Sequence, residues 1–258
     1  MLGSESESES NPTRDNRVAV DESMQGLLIV AEPDGPVLLR YPILLEALLA
    51  RLIADQGEQF DSDRIPLCRH EGIWAASQSF LIRPVVHGSV HLVRAVKPGL
   101  FLERHTLTSQ NRIGRVETKR RNTQNLLDER PAVLTSAIIW LARGEFSRVQ
   151  DLVCNMREIG GKRAQGFGVL RRVRVEPLGA RPPLFGLVHN GEPVRPLPLA
   201  WWSENFPDRP ALQTDLAIGL PRWSAAPEPV VIPRVQELWP DELQTMIEPE
   251  CTTPEGEA

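Results

Sequence analysis

The chain has 258 residues, 41% of them hydrophobic, and a net charge of −5; this is enough apolar material for a sizeable core. No run approaches the roughly 18 to 20 apolar residues of a membrane span, and the serine- and glutamate-rich start lacks the basic and apolar regions of a signal peptide, so an intracellular, cytoplasmic chain without a membrane partner is expected. Cys68, Cys154 and Cys251 are odd in number and include no CxxC pair, which argues against a disulfide framework and a zinc-ligand pattern.

Residues 1–23 alternate Ser and Glu before a stretch with little apolar material, and are expected to be a disordered tail. Leu27, Leu28, Ile29 and Val30 predict a short buried strand, ended by the turn Pro33-Asp34-Gly35-Pro36. From Pro42 to Gln56, Ile43, Leu44, Leu45, Leu48, Leu49, Leu52 and Ile53 recur at helical spacing, with Pro42 suited to the first helical position. Ile65 to Ser77 follows no simple periodicity and is expected to be an ordered loop. Ser79 to Val86 and Ser89 to Lys97 read as two strands around His87-Gly88, the second closed by Pro98-Gly99.

Residues 98–131 hold few apolar residues and many cations, and are expected to project from the body as a basic insertion. Ala132 to Leu141 reads as strand by composition, with a helix as the alternative. Phe146, Val149, Leu152, Val153, Met156 and Ile159 give an amphipathic helix running into Gly160, placed there as its C-terminal cap.

The stretch from Arg157 to Val175 joins that helix to a strand through a basic glycine loop. Gly160, Gly161, Gly166 and Gly168 permit positive φ and close backbone approach, and Lys162 and Arg163 put cations in the same turn. Such a loop can hold a polyanion; the plainer alternative is a tight helix-to-strand turn. Arg171, Arg172 and Arg174 then alternate with Val173 and Val175 in a predicted strand. From residue 100 to 175 there are 15 Lys or Arg against seven acids, a local charge of +8 that leaves −13 for the remainder. The asymmetry favours a local anionic partner.

The order strand, helix, strand, strand, helix, strand predicts an α+β, ferredoxin-like (RRM-like) βαββαβ core over residues 24–176, with helices on one sheet face and the other face open to a ligand. From Pro177 onward lie 15 of the 23 prolines and four of the six tryptophans. Residues 177–247 are therefore expected to form an extended, mostly irregular Pro/Trp-rich arm that wraps the core, and 248–258 a disordered acidic tail.

A core of this pattern whose last helix enters Ile159-Gly-Gly-Lys-Arg-Ala-Gln-Gly-Phe-Gly168 resembles the RAMP superfamily of CRISPR RNA-binding proteins. The early helix Leu44-Leu-Glu-Ala-Leu-Leu, the Ile65-Pro-Leu segment with Trp74-Ala-Ala-Ser77, Ala142-Arg-Gly-Glu and Gly191-Glu-Pro-Val-Arg-Pro-Leu-Pro198 resemble the branch that caps the guide's 5′ handle in type IV effector complexes. The likeness spans about Leu27 to Trp223; the Ser-Glu tail and the doubled Gly160-Gly161 depart from it. It implies a non-catalytic crRNA-binding subunit of a hetero-oligomer, in contact with the backbone and the large or small subunits. It implies no cofactor, and it implies RNA contact by Gly160, Gly161, Lys162, Arg163, Gln165, Gly166, Phe167, Gly168 and Arg171. Arg112, Arg115, Lys119, Arg120 and Arg121 would clamp the handle from a β-hairpin thumb formed by the insertion.

Two alternatives stand beside this reading. The superfamily contains metal-independent guide-processing endoribonucleases, for which His70 or His105 would be the acid-base residue. No carboxylate pattern completes a metal site with His87 and His91, which need not share a face if they lie on two strands. Phe167 can stack on a base or seal the turn. Outside the family, a ferredoxin-like scaffold could use its basic middle to bind an acidic protein.

Overall fold

In the computed structural model, residues 24–57, 61–94, 126–219 and 225–248 are described. Residues 1–23 and 249–258, the insertion cations Arg112, Arg115, Lys119, Arg120 and Arg121, and His105 and Trp223 lie outside them. The strands are β1 (Met24–Pro33), β2 (Arg69–His70), β3 (Ile73–Trp74), β4 (Phe80–Ile82), β5 (Val86–Arg94), β6 (Leu126–Leu134), β7 (Ile138–Glu145), β8 (Leu170–Gly179), β9 (Val188–His189), β10 (Glu192–Pro193), β11 (Leu197–Pro198), β12 (Leu212–Leu216), β13 (Glu228–Ile232) and β14 (Glu237–Leu238). The helices are α1 (Leu45–Asp55), α2 (Phe146–Val153), α3 (Leu199–Asn205) and α4 (Pro240–Ile247). The fold is α+β, and no helix among the described residues is long and apolar enough to cross a membrane.

The principal sheet has the order β14-β4-β7-β1-β8. β4, β7, β1 and β8 are mutually antiparallel neighbours, and β14 adds in parallel beside β4. β1 is an inner strand, between β7 and β8, and Leu27 to Ala31 is apolar on both faces, which suits a strand covered on both sides. Alternate residues separate cleanly. Leu27, Ile29 and Ala31 join Ile138, Trp140 and Ala142 of β7 under α1 and α2, where Leu45, Leu49, Ile53, Val149 and Val153 complete the larger core. Trp140 is fully buried, and its Nε1 donates to the Ile43 carbonyl at 2.9 Å.

Leu28, Val30, Phe80, Ile82, Ile139 and Leu141 point to the opposite face. This face is covered, not open as the sequence suggested: Phe185, Val194, Leu238 and Met246 from the C-terminal segment pack onto it. The reason is plain from the residues, since that sheet face is wholly aliphatic and aromatic and would otherwise leave its area in water at about 25 cal/mol per Å². The C-terminal segment is also more regular than expected. It folds its own three-stranded sheet, β11-β13-β12, against α3, with Leu187, Leu197, Trp201, Trp202 and Val231 as a third cluster. Trp201 and Trp202 do bury, whereas Trp239 is half exposed.

Four local expectations are corrected. The early helix begins at Leu45, with Leu44 as its N-cap, so Pro42 precedes it. His87-Gly88 is not a turn: β5 runs straight through it and pairs with β6 from Val86↔Leu134 to Arg94↔Leu126, forming the hairpin whose far end lies outside the described residues. His87 and His91, four apart on this one strand, therefore do share a face. Residues 132–141 are two strands separated by a turn in which the Thr135 hydroxyl donates to the carbonyls of Ile82 and Ala137. Finally, α2 ends at Val153 with Cys154 as its C-cap. Met156 and Ile159 still reach the core, but from irregular backbone, which is why their spacing imitated a longer helix and misplaced Gly160 as its cap.

Candidate nucleic-acid interface

The chain from Arg157 to Leu170 closes on itself. Glu158 and Val169 form an isolated antiparallel bridge. Ile159 N donates to Gly168 O at 2.8 Å, and Leu170 N to Arg157 O at 2.9 Å. The turn after β1 supports the loop from behind: Gly161 N donates to Leu38 O, Gly168 N to Pro36 O, and Asp34 N to Val169 O, at 2.9 to 3.0 Å. Between these fixed ends, Arg163–Gln165 makes a single 3₁₀ turn flanked by Lys162 and Gly166, both left-handed.

Glycine is required at two positions for different reasons. Gly168 has φ +69°, and a Cβ there would overlap the carbonyl of Ile159, breaking the neck of the loop. Gly160, at φ +82°, lies against Leu38 O and Val37, with no room for a side chain. Lys162 adopts φ +56° without being glycine or asparagine, an uncommon state for a long side chain that the closed loop imposes.

The apex is therefore preset. Gly161, Lys162, Gln165 and Gly166 are exposed, and Arg163 and Phe167 are half-buried. Neither Lys162 nor Arg163 has an acidic partner among the described residues. The Gly161 and Gly166 amides are spent inside the protein, on Leu38 O and Arg163 O, so the two unneutralised cations at the exposed apex are what make a site for an anion.

The arginines of β8, the edge strand that follows, differ among themselves. Arg171 Nη2 donates to Glu32 Oε2 at 3.0 Å; Arg174 reaches the other oxygen of Glu32, and its Nε donates to Glu176 at 2.6 Å. The hydrogen bond from Arg171, joined by Arg174, holds the Glu32 carboxyl below the usual carboxylate range, although partial burial acts the other way. The same pairing, with Glu176 first, raises Arg174. The Arg172 guanidinium is exposed and has no partner among the described residues. Arg171, expected as a contact, is thus partly neutralised, and Glu32 is a member of the site that sequence reasoning missed. Its signal is faint: one acid at the end of an apolar strand.

The loop residues 160–168 and Arg171 are consecutive and brought together. Arg112, Arg115, Lys119, Arg120 and Arg121 lie outside the described residues, as does His105. His70 lies on β2, half-buried, edge-on to Trp201 with ring centroids 6.3 Å apart. It lines a cavity of ≈ 510 Å³ that His189 also lines. His87 Nε2 is 2.5 Å from Glu237 Oε1, and Arg83 pairs with the same carboxylate at 3.1 Å, which ties the hairpin base to β14. No group of three His, Cys, Asp or Glu among the described residues is arranged to hold a metal ion. No protein-family model matches the chain, and no curated protein matches it.

Proposed function

We propose that the chain is a non-catalytic guide-RNA-binding subunit of a type IV CRISPR ribonucleoprotein effector, gripping the 5′ handle of crRNA at the Arg157–Leu170 loop and anchoring the backbone filament. The observation that carries the reading is the closed loop itself: its neck is hydrogen-bonded on both sides, and its apex presents the unneutralised Lys162 and Arg163. RNA presents phosphates and 2′-hydroxyls that such donors suit. The strand-helix-strand-strand-helix-strand succession and the antiparallel order β4-β7-β1-β8 support a ferredoxin-like core as the frame of this site. The β5–β6 hairpin supports a thumb projecting from it.

The test is to mix the protein with a labelled CRISPR repeat RNA, with and without chelator, and to run native and denaturing gels side by side. A shifted, intact RNA is expected. One observation favours a second reading, a metal-independent processing endoribonuclease: His70 and His189 line one cavity, and two imidazoles can serve as acid and base. A discrete, chelator-resistant cut lost in His70→Ala would establish it.

A further inference from the structure

The same cavity has the makings of a single-nucleotide site, remote from the glycine loop. It opens between the hairpin β9–β10, the segment from Arg181 to Phe185, and the ends of α3 and α4, and at ≈ 510 Å³ it is within the range of small-ligand pockets. Phe206 provides a stacking plane. Its ring is held by Trp202 at 4.6 Å, near parallel at 25°, and by Trp201 at 6.1 Å, so little side-chain freedom remains to be lost when a base stacks on it.

Two amides line the same cavity as Phe206, each with one N–H already engaged. Asn205 Nδ2 donates to the Trp201 carbonyl at 3.0 Å, and Asn190 Nδ2 lies 3.0 Å from His189 Nε2. The carbonyl oxygens of both amides remain as acceptors, which suits the exocyclic amino group of a base. At the other end Arg181 donates through Nη2 to the Ile247 carbonyl and lies 5.6 Å over the Phe185 ring, while its Nε is buried without a partner. The half-buried Arg181 lines the cavity without an acidic partner among the described residues, so its guanidinium face gives a phosphate oxygen a charged donor. Glu248, which also lines the cavity, is exposed and acidic, which suits a sugar hydroxyl.

The site is placed by the sheet. Arg181 packs over Gly26 at the start of β1, where a Cβ would collide with it, whereas the glycine loop is bonded to Asp34 just past the strand's other end. The eight residue steps from Gly26 to Asp34 put roughly 27 Å between them.

We infer that this cavity binds one nucleotide, base against Phe206 and phosphate toward Arg181, supplied either as a free mononucleotide or as an everted residue of an RNA. This goes beyond the loop-binding reading and does not depend on it. The test is isothermal titration calorimetry of the full chain with each of the four nucleoside 5′-monophosphates, repeated with Asn190→Gly and Arg181→Gln. Asn190 has φ +51°, which glycine adopts freely, so that variant keeps its backbone. Saturable binding of at least one mononucleotide is expected, weakened roughly tenfold in each variant.

Competition then separates the sources. A mononucleotide that lowers RNA affinity identifies an everted RNA residue, and independent binding of the two identifies a free nucleotide. A fall in RNA affinity in both variants, without mononucleotide binding, also supports the RNA source. Mononucleotide binding that neither variant weakens overturns the inference, as does the absence of mononucleotide binding together with unchanged RNA affinity in both variants. The mononucleotide arm uses no RNA, so its outcome stands whatever becomes of the glycine loop.

Discussion

Arg195 and Glu46, 149 positions apart, form a two-armed ion pair inside the protein, with side chains 3% and 0% exposed. Arg195 also donates to the carbonyls of Trp74 at 2.8 Å, Ala76 at 2.9 Å and Pro196 at 3.3 Å, so both ions are fully engaged. The pair fastens the C-terminal segment to α1 and to the stretch 65–77 that carries β2 and β3.

Removing one partner leaves the other charged and buried. Glu46→Ala or Arg195→Ala is expected to lower unfolding free energy by about 3–5 kcal/mol, read from urea denaturation, while the joint exchange Glu46→Leu with Arg195→Met recovers most of the loss. Equal costs for the single and the double variants would show that the pair is not what holds the segment.

Gly168 and Gly166 separate a steric requirement from a conformational one. Both have positive φ, but alanine at Gly166 meets nothing within 4 Å, whereas at Gly168 it overlaps Ile159. Gly166→Ala should cost about 1–2 kcal/mol from backbone strain alone. Gly168→Ala should cost distinctly more and weaken RNA binding, because the neck opens. Thermal melts and mobility shifts on both variants check the order.

Glu32 restrains two arginines of the candidate site. Its carboxyl is held low, so the stabilisation it brings is complete above the ordinary carboxylate range and is lost as pH falls through its depressed folded value. The stability gap between wild type and Glu32→Gln should therefore be widest near neutral pH and close below about pH 4. The same variant releases Arg171, while Arg174 keeps Glu176, and RNA affinity at neutral pH should rise several-fold with a steeper salt dependence. A variant that binds RNA no more tightly would place the β8 arginines outside the interface.

Elements held by local pattern were legible in the sequence, and those held by distant partners were not. β1, α1 and the strand beginning at Leu170 announce themselves by apolar runs or spacing, and the glycine loop by composition. The partner of β5 was invisible because it lies beyond a 31-residue separation of the two strands, and the alternating residues of β5 look the same whichever strand they meet. β9, β10, β11 and β14 are two residues each, too short to carry a period; β11 and β14 are defined by pairing with strands distant in the chain, and β9 and β10 only by pairing with each other. The covered second face of the sheet, the Arg195–Glu46 pair and the Glu32 clamp all depend on contacts made across more than a hundred positions.

The salt dependence of RNA affinity in the joint variant Lys162→Ala with Arg163→Ala tests the central claim most directly. If the loop holds phosphates, affinity falls at moderate salt, and the slope of log affinity against log salt flattens by about one to one and a half, since two cations no longer displace counterions from a single strand. Unchanged affinity and an unchanged slope, in a variant that melts like the wild type, would remove the glycine loop from the RNA interface.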